Sequence, residues 1–198
     1  MNILPDGEKS TMGFEPRLSN STNVWDQGWP QSFAEFEMLV EVYSDRLVLS
    51  AFRRLGNFQD AEDAVQEVFV HAFVERKKRK KISHVGPYLY RMTINSCTDM
   101  MRKQKHTGGY LESLQADEIS NGQINPSEMV AAVEELHRVE ELLRQLPKAQ
   151  AEVIRLRVFD ELRLSEIAEV VGCSMNTVSS RLRYGFKKLR KIVSREHK

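Results

Sequence analysis

Apolar and polar residues follow the period of an α-helix over two long stretches of the chain. From about residue 33 to 106, and again from about 126 to 195, apolar side chains recur three or four positions apart. This spacing lines one face of a helix, whereas a β-strand would alternate every second residue. No stretch of the sequence sustains that alternation. The pattern therefore predicts an all-α protein with two small helical domains.

The remaining segments lack this period. Residues 1–32 are rich in Ser, Asn, Gly and Pro, which predicts a disordered N-terminal extension. Residues 107–125, TGGYLESLQADEISNGQIN, contain Gly, Asn and several acidic residues, which predicts a flexible acidic linker. The predicted domains are therefore 33–106 and 126–198, joined by that linker.

Two segments of the first domain have a predicted core face. In DAEDAVQEVFVHAF the residues expected to be buried are Ala64, Val65, Val68, Phe69, Ala72 and Phe73. In PYLYRMTINSCTDMMRK they are Leu89, Met92, Ser96 and Met100.

The segment GCSMNTVSSRLRYG, from Gly172 to Gly185, has the pattern of a helix-turn-helix. A small Ala168 allows close helix approach, Gly172 suits the turn, and Ser174 suits the N-cap of the second helix. The predicted buried stripe of that helix is Val178, Leu182, Phe186 and Leu189. The opposite face, free to enter a DNA groove, holds Asn176, Ser180, Arg183, Tyr184 and Lys187. A plain amphipathic hairpin with a solvated basic face has the same pattern.

Charge is strongly segregated although the net charge is only +1. Between Glu112 and Glu141 eight acidic residues stand against one Arg, and between Arg181 and Lys198 eight basic residues stand against one Glu. A third block, RKKRKK, spans Arg76 to Lys81. Because fields decay within a Debye length of roughly 8–10 Å, local charge governs the encounter with a polyanion. The two basic zones are therefore candidate nucleic-acid contacts.

The two helical segments of the first domain differ in their polar faces. The acidic face around Asp63 and Glu67 repels phosphate and suits a basic protein partner, or it is simply a solvated face. The second segment adds Tyr88, Tyr90 and Asn95 next to the basic block, a combination that suits single-stranded nucleic acid. Both tyrosines also fit a core role.

The order of these motifs resembles an extracytoplasmic-function (ECF) sigma factor of bacterial RNA polymerase. The resemblance rests on DAEDAVQEVF, YLYRMTINSCTDMMR and then LP…EVIRLR…EIAEVVGCSMNTVSSRLR, and it covers about residues 36 to 192. It implies binding to core RNA polymerase, recognition and opening of the minus-ten promoter element, and reading of the minus-thirty-five element as duplex. Family members often have an anti-sigma factor, so such a partner is implied as well.

The resemblance also implies roles for individual residues. Core-polymerase binding would involve Asp63, Gln66 and Glu67. Minus-ten recognition and melting would involve Tyr88, Tyr90, Arg91, Asn95 and Arg102. Minus-thirty-five binding would involve Asn176, Thr177, Ser179, Ser180, Arg181, Arg183, Tyr184 and Lys187.

The chain departs from the family pattern at four positions. The family usually has Trp where Tyr88 stands, Ser where Arg163 stands, Gly where Asn176 stands and Lys where Ser179 stands. The last two positions lie on the reading helix, so a different promoter preference and one fewer phosphate contact are expected.

Other functional classes fit the sequence less well. A plain helix-turn-helix regulator accounts for the second domain but leaves the acidic face and the Tyr/Asn motif unexplained. The five His residues and two Cys residues form no metal-spaced cluster, so no enzyme, metal or cofactor is expected. A nuclear protein that uses RKKRKK as a localisation signal is a further alternative. With no secretory signal and no apolar run of ~20 residues, a cytoplasmic protein without membrane insertion is expected.

Overall fold

The computed structural model describes residues 28–75, 82, 84–106, 135 and 137–196, and the regular structure in these ranges is entirely helical. The helices are α1 (Phe33–Leu55), α2 (Phe58–Glu75), α3 (Val85–His106), α4 (residues 137–144), α5 (Lys148–Val158), α6 (Leu164–Val171) and α7 (Met175–Glu196). The all-α prediction is confirmed for the described part of the chain. The predicted linker and the RKKRKK block lie outside it.

Helices α1, α2 and α3 pack on one another and form the N-terminal bundle. Ser32 begins α1: its hydroxyl accepts from the Glu35 N–H at 3.1 Å, and the Glu35 carboxylate accepts from the Ser32 N–H at 3.2 Å. This reciprocal pair satisfies two N–H groups that a helix start leaves unpaired. Gly56 ends α1 in the left-handed region, at φ 76°.

The predicted buried face agrees with the structure more closely on α2 than on α3. On α2 the predicted face is confirmed: Ala64, Val65, Val68, Phe69 and Ala72 are buried and Phe73 is half-buried. On α3 Leu89 is buried as predicted, and Met92 and Met100 are half-buried and pack against the core. The prediction missed Thr93 and Cys97, which complete the fully buried stripe, and Ser96 is half-buried beside them. Thr93 tolerates burial because its hydroxyl donates to the Leu89 carbonyl at 3.0 Å.

Residues 28–32 differ from the expectation of a disordered extension. Trp29 is only 4% exposed and packs edge-on against Tyr88 of α3, with 5.3 Å between ring centroids. Gln31 supports this turn by donating from its side-chain amide to the Trp29 carbonyl at 2.7 Å. The segment before α1 is therefore part of the N-terminal bundle.

Helices α4 to α7 form the C-terminal bundle, and α6 and α7 make the predicted helix-turn-helix. Gly172 ends α6 at φ 67°. Ser174 caps α7 by accepting from the Thr177 N–H at 3.2 Å. Arg163 is the N-cap of α6. A guanidinium carries no hydrogen-bond acceptor, so its side chain cannot cap the helix, and the Glu166 carboxylate accepts from the Arg163 N–H at 2.6 Å.

The buried stripe of α7 agrees with the prediction at three of its four positions. Val178 and Leu182 are buried and Leu189 is half-buried, but Phe186 is 47% exposed. Gly185 takes its place in the stripe, because α5 approaches so closely there that an added Cβ would come within 2.7 Å of Ile154 Cδ1. The prediction for Phe186 was wrong because the pattern did not mark Gly185 as a packing position.

The two bundles are in contact. Helix α3 packs against α6. Side chains at the end of α1 meet carboxylates of α5 and of the segment that joins α5 to α6; we call this group of five the inter-bundle ion cluster, and it comprises Ser50, Arg53, Arg54, Glu152 and Asp160.

Candidate nucleic-acid interface

The outer face of α2 is exposed and acidic. Asp63, Gln66 and Glu67 all face solvent. Asp63 accepts from the Gln59 side-chain amide at 3.4 Å, and Glu67 accepts from the Ser96 hydroxyl of α3 at 3.3 Å. These are weak, solvent-exposed contacts, so the carboxylates remain accessible to a cationic partner.

The same face of α2 continues into apolar surface. Val70 and Val74 follow Glu67 at helical spacing and are 64% and 66% exposed. A face with carboxylates at one end and exposed valines at the other suits a protein partner more than a phosphate backbone.

Four of the five residues predicted for strand separation lie on one face of α3. At about 100° per residue, positions 88, 91, 95 and 102 fall on the same side of a helix. Tyr88 is half-buried, whereas Arg91, Asn95 and Arg102 are exposed. Arg102 forms an exposed ion pair with Asp99 at 3.1 Å. The result is a face with one aromatic ring, one amide and two guanidinium groups.

Tyr90 is not part of this face. It lies on the opposite side of α3 and is 2% exposed. Burial raises the pKa of its phenol, and the negative charge of Asp160 in the C-terminal bundle raises it further. In this arrangement of the bundles Tyr90 does not contact solvent.

The sequence pattern did not identify Trp29 as a member of this site. Its ring contacts Tyr88 edge-on, so it limits the positions that the Tyr88 ring can take. In the sequence, the one sign that Trp29 packs here is that an aromatic residue stands shortly before Ser32, the N-cap of α1.

The outer face of α7 is polar, cationic and accessible. Asn176, Ser179, Arg183, Tyr184 and Lys187 are exposed, and Thr177, Ser180 and Arg181 are half-buried. The Arg183 guanidinium lies 4.9 Å from the Tyr184 ring centroid. The half-buried residues make local bonds: Ser180 donates to the Thr177 carbonyl at 2.9 Å, and Arg181 lies 3.7 Å from Cys173 Sγ.

The arrangement on α7 matches a recognition helix. The residues opposite the buried stripe, namely Asn176, Ser180, Arg183, Tyr184 and Lys187, all fall within about a third of the helix circumference. One helix face of this width is what a major groove admits. Thr177, Ser179 and Arg181 lie beside this face, between it and the buried stripe.

The described ranges contain no group of three or more His, Cys, Asp or Glu side chains arranged to hold a metal ion. Within the same ranges, no helix has both the length and the apolar character that a membrane crossing requires.

Comparison with known proteins gives matches to both halves of the chain. The family model for Sigma-70 region 2 matches residues 39–107, and that for Sigma-70, region 4 matches residues 136–189. The ECF RNA polymerase sigma factor SigW of Bacillus subtilis is 30% identical over 165 residues, which cover 79% of this chain and 87% of SigW. The RNA polymerase sigma factor SigV of the same organism is 30% identical over 146 residues, 74% of this chain and 83% of SigV.

Two solved structures share the fold. CnrH, in complex with the cytosolic domain of CnrY, aligns with a TM-score of 0.63 at 24% identity, covering 83% of this chain and 90% of CnrH. The sigma factor RpoE of Bartonella quintana, in complex with the anti-sigma factor NepR, aligns with a TM-score of 0.59 at 21% identity, covering 81% and 97%. With both sigma regions matched in order, and SigW 30% identical over most of its length, the chain belongs to the ECF sigma factors of RNA polymerase.

Proposed function

We propose that this sigma factor binds core RNA polymerase with α2, holds the opened minus-ten element with α3, and reads the minus-thirty-five element with α7. The observation that carries the proposal is the separation of charge between exposed helix faces. The α2 face is acidic and partly apolar, whereas the outer face of α7 carries Arg183 and Lys187 and no acidic residue. The first suits a basic protein surface and the second suits DNA.

Run-off transcription tests the function as a whole. Purified core RNA polymerase is incubated with genomic DNA fragments, with and without this protein. Specific initiation only in the presence of the protein supports a sigma factor. Binding to the same fragments without any gain of initiation supports a plain helix-turn-helix regulator instead.

Arg183→Ala and Lys187→Ala are expected to affect minus-thirty-five binding in different ways. Arg183 is proposed to contact base edges, so its loss should relax sequence preference at one or two positions by about 1–2 kcal/mol. Lys187 is proposed to contact phosphate, so its loss should weaken binding to every sequence alike and reduce the salt dependence by about one counterion. Affinities for a set of single-base promoter variants at several salt concentrations measure both effects, and each variant is the control for the other. An Arg183→Ala protein with unchanged sequence preference contradicts the reading role.

Tyr88→Ala and Asn95→Ala are expected to slow promoter opening by about tenfold each. Tyr88 would lose a base stacked on its ring, which contributes about 1–3 kcal/mol, and Asn95 would lose a side-chain hydrogen bond to a base, which contributes about 0.5–1.5 kcal/mol. Tyr88→Phe retains the ring and its contact with Trp29, and should open the promoter nearly as fast as the unaltered protein. Opening is followed by permanganate reactivity of unpaired thymines. A template with a pre-melted bubble should rescue both alanine variants, whereas an equal loss on duplex and bubble would indicate damaged packing.

We further propose that the protein acts in the cytoplasm, where polymerase and promoter DNA are found, and that it carries out no catalytic step of its own. The two solved structures compared above were determined as complexes, RpoE with the anti-sigma factor NepR and CnrH with the cytosolic domain of CnrY. By analogy we propose that an anti-sigma factor also regulates this chain.

A further inference from the structure

Trp29 contacts the aromatic residue of the α3 face that is proposed to hold the opened strand. Its indole ring meets the ring of Tyr88 edge-on, with 5.3 Å between the two centroids and 86° between the ring planes. Trp29 is 4% exposed, whereas Tyr88 is half-buried. A base can therefore still reach Tyr88, while the indole supports that residue from within the bundle.

The start of α1 holds Trp29 in place. The Gln31 side-chain amide donates to the Trp29 carbonyl at 2.7 Å. Pro30, the next residue in the chain, is buried as well, and its ring restricts the backbone there. Ser32 then caps α1 and forms a reciprocal capping box with Glu35. The residues that follow Trp29 therefore fix the point at which its side chain leaves the backbone.

The stability of the fold does not by itself explain an indole at this position. The Nε1–H of Trp29 is buried and has no hydrogen-bond partner among the described residues. A buried donor without an acceptor lowers stability, and a phenylalanine ring would avoid that loss. The indole is larger than a phenyl ring, however, and offers a longer edge to the ring of Tyr88.

An ordered neighbour makes it easier for Tyr88 to bind a base. A tyrosine side chain that changes rotamer freely loses this freedom when a base stacks on it, and the lost entropy opposes binding. Edge-on contact between two aromatic rings favours one relative orientation over others. Because the start of α1 orders Trp29 in the absence of DNA, the indole restricts the Tyr88 ring before any base arrives.

We propose that Trp29 is a positioning residue for strand binding, which fixes the ring of Tyr88 in the orientation in which an unpaired base of the minus-ten element stacks on it. This inference rests on the function proposed above for α3. It adds to the strand-binding site a residue that precedes α1. Trp29 acts through Tyr88 and does not itself contact the DNA.

Binding of a single-stranded oligonucleotide tests the proposal. The oligonucleotide has the opened-strand sequence of a promoter identified by run-off transcription, carries a dye at one end, and is titrated with core polymerase that is saturated with this protein. Trp29→Leu removes the ring that restricts Tyr88. It should weaken binding by about two- to tenfold, the range expected when one more side chain must be ordered on binding. Trp29→Phe retains an aromatic edge and should restore most of the affinity.

Oligonucleotides that lack single bases separate positioning from a general loss of structure. The base that stacks on Tyr88 is the one whose removal abolishes the effect of Tyr88→Ala. When this base is missing, Trp29→Leu should bind the oligonucleotide as tightly as the unaltered protein does. In the Tyr88→Ala protein, Trp29→Leu should likewise cause no further loss. An equal loss with and without the base would indicate damaged packing and would overturn the proposal.

Phe33→Leu is the matched control. Phe33 also meets a ring edge-on, that of Phe73, with 6.0 Å between the centroids, but this pair joins α1 to α2. Its loss should leave binding of the oligonucleotide unchanged. Circular dichroism verifies that each variant retains its helices. If Trp29→Leu does not, Gln31→Ala replaces it: this variant removes the hydrogen bond to the Trp29 carbonyl, leaves both rings intact, and should cause a smaller loss with the same dependence on the stacked base.

The outcomes distinguish this proposal from the function on which it rests. If Tyr88→Ala binds every oligonucleotide as tightly as the unaltered protein, α3 does not hold the opened strand through Tyr88 and both proposals fail. If Tyr88→Ala weakens binding and a folded Trp29→Leu protein does not, the function proposed for α3 stands and Trp29 is only a residue of the core.

Discussion

Reversing Asp63 and Glu67 to lysine is expected to weaken binding to core RNA polymerase by about a hundredfold, or about 2.8 kcal/mol. The two carboxylates lie one turn apart on the exposed face of α2. The change therefore replaces two charges that attract a basic protein surface with two that repel it. Fluorescence titration of labelled protein with core polymerase measures the loss.

Glu37→Lys with Glu41→Lys is the matched control. This pair has the same spacing, the same exposure and the same change of charge, but it lies on α1. It should alter the affinity by less than about threefold, the range of long-range electrostatics at physiological salt. If both double variants weaken binding equally, total charge is responsible and the α2 face is not the docking site.

Replacing Glu140 with glutamine is expected to lower the free energy of unfolding by about 2–3 kcal/mol. The Arg155 guanidinium donates to both carboxylate oxygens of Glu140, from Nε to Oε1 at 3.0 Å and from Nη2 to Oε2 at 2.6 Å. Both side chains are largely buried. Among the described residues, neutralising the carboxylate leaves the buried Arg155 guanidinium with one more distant anionic partner, Glu152, at 3.8 Å. Urea denaturation followed by circular dichroism measures the change.

Glu135→Gln is the matched control, since it neutralises the carboxylate of an exposed pair in the same bundle. Exposed pairs contribute about 0–1 kcal/mol, so this variant should unfold at nearly the original urea concentration. Equal losses in the two variants would mean that the Arg155–Glu140 pair has no special importance for the bundle.

Regular periodicity made part of this fold predictable from the sequence. The face of α2 was correct because its apolar residues repeat without interruption and helix geometry leaves one way to bury them. The helix-turn-helix was correct because Gly172 and Ser174 mark a turn and a cap. The family resemblance supplied the order of the two sigma regions, which the comparisons confirm.

The remaining features depend on residues that the hydrophobic pattern does not identify as buried or paired. Thr93 and Gly185 occupy core positions, the first because its hydroxyl is satisfied locally and the second because two helices nearly touch there. Ser50 and Asp160 meet although 110 positions separate them in the chain. No local pattern reports such a contact, because each side chain by itself resembles an ordinary surface residue.

The burial of Trp29 against Tyr88 has a practical consequence. An indole ring in apolar surroundings emits at shorter wavelengths than one in water, and the indole nitrogen of Trp29 has no hydrogen-bond partner among the described residues. The ring touches the residue on which an unpaired base is proposed to stack. The chain has one other tryptophan, Trp25, which lies outside the described residues. The natural fluorescence of Trp29 is therefore expected to report the proposed binding of the opened strand in real time, without any attached dye.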